Sequence, residues 1–253
     1  MKSLLICLLL VQGLGAAELD KYSGERLEYD LEWNPFWGII TPKAGEAGFS
    51  CDQIAGNWLV HFKVGTMDWA RQLYRYDNRA ISAFDSAGNL LWSRSRLTDS
   101  TSIEWRVDQE QHRVSFLKNN ALIDTMALTG KMPLEALSAF YLFRNMDLTL
   151  GQLSELEVFG TDSLNRIRWS KVTIEVKGRV LLKWNGYKYL CWMVEIMIKA
   201  QDNFIPSGRV TVWVTCNSNR LPLKVATDFR YKGITLPVIG ILKPLEDFQK
   251  DEP

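Results

Sequence analysis

The chain has 253 residues, 47% of them hydrophobic, which is enough for a sizeable core in one large domain or two small ones. Its 30 basic and 29 acidic residues nearly balance, so the net charge is +1. That balance argues against nucleic acid, or an anionic membrane surface, as the main partner.

The N-terminus has the features of a secretory signal peptide. A lysine precedes an apolar run at residues 4–11, and small residues follow the run. Gly15 and Ala17 suit the two small positions before a signal peptidase site, so we expect cleavage before Glu18 and export of the mature protein. The alternative is a membrane anchor, but a bilayer span needs about 20 apolar residues and this run is shorter.

The remaining sequence has no linker, no repeat of fixed period and no low-complexity tract. No later segment is long and apolar enough to span a bilayer. We therefore predict a signal peptide at residues 1–17 and a single domain at residues 18–253, with a short frayed tail from Gln249.

Alternating apolar and polar residues predict strands along most of this domain. Residues 26–33 alternate without a fault, which is typical of a half-buried strand. Asn185-Gly186 suits the two positive-φ positions of a type I′ hairpin turn. Regular short strands separated by turns favour an all-β, mainly antiparallel fold, as a barrel or a strongly curved sheet. Further strands are predicted at residues 47–51, 58–64, from 74, 103–107, 114–116, 122–128, 151–159, 166–176, 187–199, 209–216, 222–230 and 235–245.

Residues 133–145 are the only segment that the sequence predicts to be helical. The segment is apolar around most of its circumference, so we expect it to be buried rather than to lie on the surface. A buried helix among many strands means that the sheet wraps around it or is capped by it.

Cys51, Cys191 and Cys216 remain after the signal peptide is removed. The turn between the last two predicts a register in which Lys199 pairs with Gly208. The same register places Cys191 opposite Cys216, close enough for a disulfide in an exported protein. The alternative is two buried free thiols, because a register shift of one residue would separate their faces. Cys51 would then have no partner and be a small buried residue.

The sequence contains no motif for a metal site, a phosphate-binding loop or a nucleophilic serine elbow. His61 lies between apolar strand residues and His112 lies at a turn, so both are predicted to be surface residues rather than catalytic ones. Acidic residues mostly occupy alternating exposed positions, and no carboxylate pair stands out. We therefore assign no catalytic residue, no metal and no cofactor.

Ten tryptophans and several arginines are the less ordinary features. Tryptophan fills large cores, and it also stacks on sugars and borders apolar pockets. At residues 92–96 and 105–106, arginine and tryptophan share a predicted face that would suit an anionic headgroup, a carboxylate or a glycan. The alternative is a solvated strand face stiffened by arginine–aromatic stacking.

Several short motifs resemble those of one family. LEALSAFYLFR at residues 134–144 is similar to the D-x-L-S-x-x-Y-x-L-R element of the exported bacterial proteins known as domain of unknown function 3108. Residues 24–29 and 45–47 are similar to its opening G-E-x-L-x-Y … G-x-A pattern. Residues 212–222 resemble its late W-x-S-x-D-x-x-x-x-P element.

The resemblance covers most of the mature chain and implies an exported all-β domain, in the periplasm or cell envelope of a bacterium, with no assigned biochemical role. It supplies no catalytic residues. Glu135 and Asn217 occupy positions where the family usually has an aspartate or another acid, so the resemblance does not imply shared chemistry at them.

Three functions are compatible with these patterns. The first is a non-enzymatic envelope protein that holds a lipid or acyl chain in a curved sheet closed by the helix. In that function Tyr141 and Arg144 would position a polar headgroup, and Trp192 and Trp213 would border the ligand. The second is a glycan-binding or scaffold protein that works through surface tryptophans and arginines. The third is an enzyme, such as a hydrolase.

Overall fold

The computed structural model of the chain describes residues 19–33, 42–72, 75–97, 100–128, 134–161, 164–199, 208–231 and 234–245. Within these ranges fourteen antiparallel strands form one sheet, and two helices lie between strands. The predicted all-β, mainly antiparallel fold class is confirmed. The predicted signal peptide and the tail from Gln249 lie outside the described residues.

The first helix, α1, is a four-residue turn that the sequence did not predict, and the second, α2, corresponds to the predicted buried helix. Neither described helix has the length and apolarity to cross a bilayer. In chain order the elements are β1 (Arg26–Trp33), β2 (Lys43–Ile54), β3 (Asn57–Thr66), α1 (Asp68–Arg71), β4 (Asp77–Phe84), β5 (Leu90–Leu97), β6 (Ser102–Asp108), β7 (Arg113–Lys118), β8 (Ala121–Ala127), α2 (Ala136–Asn145), β9 (Leu153–Thr161), β10 (Ile167–Trp184), β11 (Tyr187–Lys199), β12 (Gly208–Thr215), β13 (Pro222–Tyr231) and β14 (Ile234–Leu242).

The sheet consists of two meanders joined in the middle. Strands β1 to β8 pair in sequence, strands β9 to β14 pair in sequence, and β1 pairs with β14. The sheet is not closed, because β8 and β9 are its two edges, and α2 connects them. The two halves approach each other where the backbone N–H of Ile167 donates to Asp124 Oδ2 of β8 over 2.7 Å.

Helix α2 begins within three residues of the predicted start. Its alanine and leucine residues favour helix, and Glu135 provides the cap. The Glu135 carbonyl accepts the Ala139 N–H at 2.9 Å, and its Oε2 accepts the Leu137 N–H at 2.9 Å. The first of these is the first i→i−4 bond of the helix, and the second bonds a backbone donor of the first turn that would otherwise be unsatisfied.

One face of the sheet, which we call the inner face, packs against α2. Buried residues from strands of both meanders form one cluster with Leu137, Tyr141 and Phe143 of the helix. Phe140 of α2 stacks on Phe49 of β2 with ring centroids 4.5 Å apart and planes 12° apart. The helix therefore lies within the curve of the sheet, as the sequence predicts.

The Asn-Gly hairpin is formed as predicted. Asn185 has φ 47° and Gly186 has φ 82°, which are the positive values of a type I′ turn. The register predicted for the next hairpin is wrong by one residue, because Gly208 pairs with Ile198 instead of Lys199. Val210, Val212 and Val214 therefore share the face of Trp192, whereas the predicted register would place them on the face of Cys191.

The register also corrects the predicted disulfide. Cys191 lies opposite Thr215, one residue before Cys216, and all three cysteines of the described chain are free thiols. Cys191 and Cys51 are fully buried, as expected for small apolar residues. Burial raises the pKa of both thiols to about 12, so they are protonated and unreactive at neutral pH.

Candidate functional site

Arg144, near the C-terminal end of α2, is the most unusual polar residue of the structure. Its side chain is 0% exposed and forms a two-pronged ion pair with Glu25, in the segment before β1. Nη1 lies 2.7 Å from Glu25 Oε2, and Nη2 lies 2.7 Å from Oε1. A buried charge is tolerated only when it is paired and fully hydrogen-bonded, and this geometry provides both.

The turn between β12 and β13 completes the shell around the guanidinium. The carbonyls of Asn219 and Arg220 accept from Nη2 and Nε of Arg144, each at 3.2 Å. Thr215 holds the turn, because its Oγ1 accepts the Leu221 N–H at 2.9 Å. All three guanidinium nitrogens are therefore engaged by protein groups.

Aromatic rings enclose the same group. The guanidinium carbon lies 4.2 Å from the centroid of the Tyr22 ring and 5.4 Å from that of Tyr141. The Tyr22 hydroxyl donates to Asn145 Oδ1 at 3.1 Å, and the Tyr141 hydroxyl donates to Glu25 Oε2 at 3.3 Å. We call Tyr22, Glu25, Tyr141, Arg144 and the Asn219–Arg220 carbonyls the Arg144 cluster.

The electrostatics of the Arg144 cluster favour a structural role. Burial opposes the charge of Arg144, but the hydrogen bonds and charge of Glu25 hold its pKa above the ordinary value. Burial, together with the Glu25 carboxylate, raises the pKa of Tyr141. At neutral pH the arginine stays charged and the tyrosine stays protonated, so neither is poised for acid–base catalysis.

The structure brings together only two of the four predicted ligand-binding residues. Tyr141 and Arg144 meet in the cluster just described, and both are buried. Trp192 packs on the inner face beneath the guanidinium of Arg179, which lies 4.0 Å from its ring. Trp213 pairs with Met193 and therefore points to the opposite face of the sheet from Trp192.

A second buried polar group supports the other end of α2. Ser82 Oγ lies 3.0 Å from Glu135 Oε1 and 2.9 Å from Ser93 Oγ, and all three side chains are buried. The cap of the helix is thus bonded to neighbouring strands β4 and β5. Both ends of α2 are fixed to the rest of the molecule by buried polar contacts.

The arginine–tryptophan surface predicted on β5 and β6 is different in the structure. Glu104 lies between two arginines: its Oε2 is 2.6 Å from Arg94 Nη2, and its Oε1 is 2.5 Å from Arg106 Nε. Trp105 points to the inner face, where it packs against Phe116 with centroids 4.7 Å apart. The two arginines share one carboxylate, and they lie on the face of the half-buried Trp92, which is opposite Arg106, instead of the face of Trp105. The predicted arginine–tryptophan face is therefore formed with Trp92 but not with Trp105.

Sequence reasoning missed Glu25, which lies 119 residues from its partner Arg144. The only signal was its place in the Gly24-Glu25 motif of the opening pattern. In the structure all three motif segments meet at Arg144: the opening segment supplies Glu25, the helical segment supplies Tyr141, and the late segment supplies the carbonyls. No group of three or more potential metal ligands occurs in the described ranges.

Comparison with known proteins gives the family and the fold. A β-barrel-like protein of the DUF1849 family from Brucella abortus superposes with a TM-score of 0.57 at 14% identity, over 88% of this chain and 96% of that one. The hypothetical lipoprotein YmcC from Escherichia coli K12 gives a TM-score of 0.35 at 12% identity, over 88% of each chain. The search of curated proteins returned no match. The model of the protein family of unknown function DUF3108 matches residues 28–237, so the chain belongs to that family.

Proposed function

We propose that this protein is an exported, non-enzymatic protein of the bacterial envelope that binds an acyl chain or a similar amphipathic molecule on the inner face of its sheet, beside α2. The observation that carries the proposal is a mismatch of size. The curved sheet is much larger than the single helix that packs within it.

Geometry gives the scale of that mismatch. A ten-residue helix such as α2 is about 15 Å long. Fourteen strands spaced about 4.8 Å apart make a sheet about 65 Å from edge to edge. Eight strands already suffice for a barrel filled by its own side chains, and wider barrels hold ligands, plugs or water. The inner face of a curved sheet of fourteen strands is therefore wider than α2 alone.

The chemistry of the inner face suits a mostly apolar ligand with one polar group. Aromatic rings of Phe49, Phe62 and Phe140 form a continuous packed column, with centroid separations of 4.5 and 4.8 Å. Trp58 is fully buried in the same cluster, and its Nε1–H has no hydrogen-bond partner among the described residues. A buried unpaired donor is unusual, and an ester or carboxylate oxygen of a ligand would satisfy it.

The proposal gives different tasks to the residues first considered as ligand contacts. Tyr141 and Arg144 hold α2 in position, because their polar atoms are already bonded within the protein. Trp192 remains a candidate contact, since it lies on the inner face.

A matched pair of alanine variants tests the proposal. Ala80 packs against the inner cluster, whereas Ala226 adjoins Val225 and points to the opposite face, and both are half-buried. Delipidated protein is titrated with a fluorescent fatty acid. We expect Ala80→Phe to weaken binding at least about tenfold with little change in melting temperature, and Ala226→Phe to bind as the wild type.

Two results would count against the proposal. One is a wild-type protein that does not bind the fatty acid, or two variants that bind it equally. The other is a loss of about 1–3 kcal/mol of stability in Ala80→Phe alone, the cost of overpacking, which would mean that the inner face is already filled.

A further inference from the structure

The hairpin of β10 and β11 extends beyond the rest of the sheet. β10 pairs with β9 over residues 167–175, and β11 pairs with β12 over residues 191–198. Between these limits residues 179–190, which we call the hairpin tip, pair with no other strand of the described chain. A bulge between Val176 and Gly178 precedes the tip. Even-numbered residues of β10 share the face of Trp192 before the bulge and the face of Cys191 after it.

One face of the hairpin tip is firmly attached to the protein. Val180, Leu182 and Trp184 pack in a second core cluster that includes Leu242 of β14. Trp184 Nε1 donates to the Leu242 carbonyl at 2.6 Å. The tip is therefore a supported ribbon, and its other face is held outward.

The outward face combines apolar and basic residues. Leu181 and Leu190 oppose each other across the two strands and are 68% and 45% exposed, although leucine pairs usually lie inside. Lys183 and Lys188 form the next pair along this face, and both are exposed. Tyr187 pairs with Trp184 and therefore belongs to the attached face, although it is 51% exposed beside the turn.

The positive charge of this face is not compensated locally. Residues 176–194 include four basic residues, Lys177, Arg179, Lys183 and Lys188, and no acidic residue. Lys177 pairs with Glu175, but the other three form no ion pair within the described part of the chain. In a chain with a net charge of +1, the tip is a concentrated basic site.

We propose that the outward face of the hairpin tip docks on a bilayer surface that contains anionic phospholipid. Leu181 and Leu190 would enter the boundary between headgroups and acyl chains, and Lys183 and Lys188 would contact phosphates. Exposed leucines bordered by lysines are the features of a segment that lies in the membrane interface. By the register of β10 and β11 this face of the tip continues the strand face of Arg179 and Trp192, but Leu181, Leu190 and the two lysines are not part of the cluster around α2. The inference therefore does not depend on the proposed ligand.

Sedimentation with lipid vesicles tests the inference with the full mature chain. Wild-type protein should bind vesicles of equal parts phosphatidylcholine and phosphatidylglycerol, and bind pure phosphatidylcholine much less. We expect Lys183→Glu/Lys188→Glu to lower the partition coefficient at least about tenfold, because each lysine near an anionic surface contributes roughly fivefold. Leu181→Ser/Leu190→Ser should lower it to a similar extent by removing the apolar contact.

A matched control uses two equally exposed leucines elsewhere. Leu122→Ser/Leu153→Ser changes residues that are 64% and 61% exposed on the edge strands, and it should bind vesicles as the wild type does. All variants should keep the wild-type melting temperature, since every substituted side chain is exposed. The inference is overturned if wild-type protein ignores anionic vesicles or if the tip variants bind like the control. A third result would also overturn it: the wild type forms a dimer, does not bind vesicles, and becomes a monomer when the tip is substituted. The outward face would then be a contact between two copies of the chain.

Discussion

At the scale of single residues, the structure depends on polar groups that are buried and fully paired. Arg144 was predicted from sequence as a polar residue near the end of the helix, and that position is correct. Its partner was not predictable, because Glu25 lies 119 residues away and no local pattern links them. The burial of Arg144 could not be predicted either, because the sequence of a helix that is apolar on its other faces does not show whether its arginine is buried.

Breaking the Arg144–Glu25 pair should be costly. Arg144→Met leaves Glu25 without its partner at a site where the carboxylate side chain is only 15% exposed, so we expect a loss of about 3–5 kcal/mol. Glu25→Leu/Arg144→Met should lose less than the single Arg144→Met variant, because no buried charge remains unpaired. Chemical denaturation of the wild type, Arg144→Met, Glu25→Leu and the double variant measures these differences.

An exposed pair nearby provides the control for this cycle. Arg26 and Asp52 form an ion pair at 2.6 Å, but the arginine side chain is 56% exposed. Arg26→Met should therefore cost under about 1 kcal/mol. A double variant at Glu25 and Arg144 that loses the full sum of its two singles would contradict the account.

The Glu104 carboxylate gives a pH-dependent prediction. Burial alone would raise the pKa of Glu104, but the hydrogen bonds and charges of Arg106 and Arg94 lower it below the ordinary 4.5. A lowered pKa in the folded state stabilises the protein above pH 4.5, and this contribution disappears as the pH falls through the folded value.

Glu104→Gln should therefore be less stable than the wild type at neutral pH, and the difference should shrink as the pH is lowered below 4.5. Denaturation midpoints across that range provide the measurement. Glu110→Gln, at an exposed turn, is the control and should change little. A difference between Glu104→Gln and wild type that stays constant with pH would show that the arginine pairs are not the cause.

At the scale of elements, local patterns predicted the strands, the Asn-Gly hairpin and the buried helix well. Local patterns did not predict strand register correctly where the register depends on the number of residues in a turn. The register of β11 and β12 depends on how residues 199–208 turn, and an error of one residue reversed the faces assigned to the valines. The bulge at Val176 and Gly178 changes the faces of β10 in the same way. This bulge could not be recognised from the alternation of apolar and polar residues in the sequence.

Helix α2 should contribute to stability through packing as well as through its ends. Leu137 is buried in the cluster that joins the helix to the sheet, so Leu137→Ala should cost about 2–5 kcal/mol through lost burial and a cavity. Leu150→Ala, at a residue that is 72% exposed, should cost under about 0.5 kcal/mol. If Leu137→Ala and Leu150→Ala destabilised the protein equally in thermal and chemical unfolding, α2 would not be packed as described.

At the scale of the whole molecule, the sequence predicted a curved antiparallel sheet but not how its two halves are joined. Pairing of β1 with β14 joins segments about two hundred residues apart, and such pairing depends on the complete fold instead of local preference. The same pairing leaves β8 and β9 as edges bridged by α2. The size of the inner face relative to the helix follows from that topology.

Export is a prediction from the N-terminal segment of the sequence. The N-terminal apolar run followed by Gly15 and Ala17 should direct cleavage before Glu18. N-terminal sequencing of protein from envelope fractions of its own host should begin near that residue. Recovery of an intact Met1 from the cytosolic fraction would contradict the prediction.

The most direct test of the central claim is native mass spectrometry of the mature protein purified from its own host in mild detergent. We predict a complex heavier than the polypeptide by the mass of a small amphipathic molecule, which dissociates on denaturation and is recovered by lipid extraction. A native mass equal to that of the mature chain alone, with no lipid in the extract, would contradict the claim that the inner face holds a ligand.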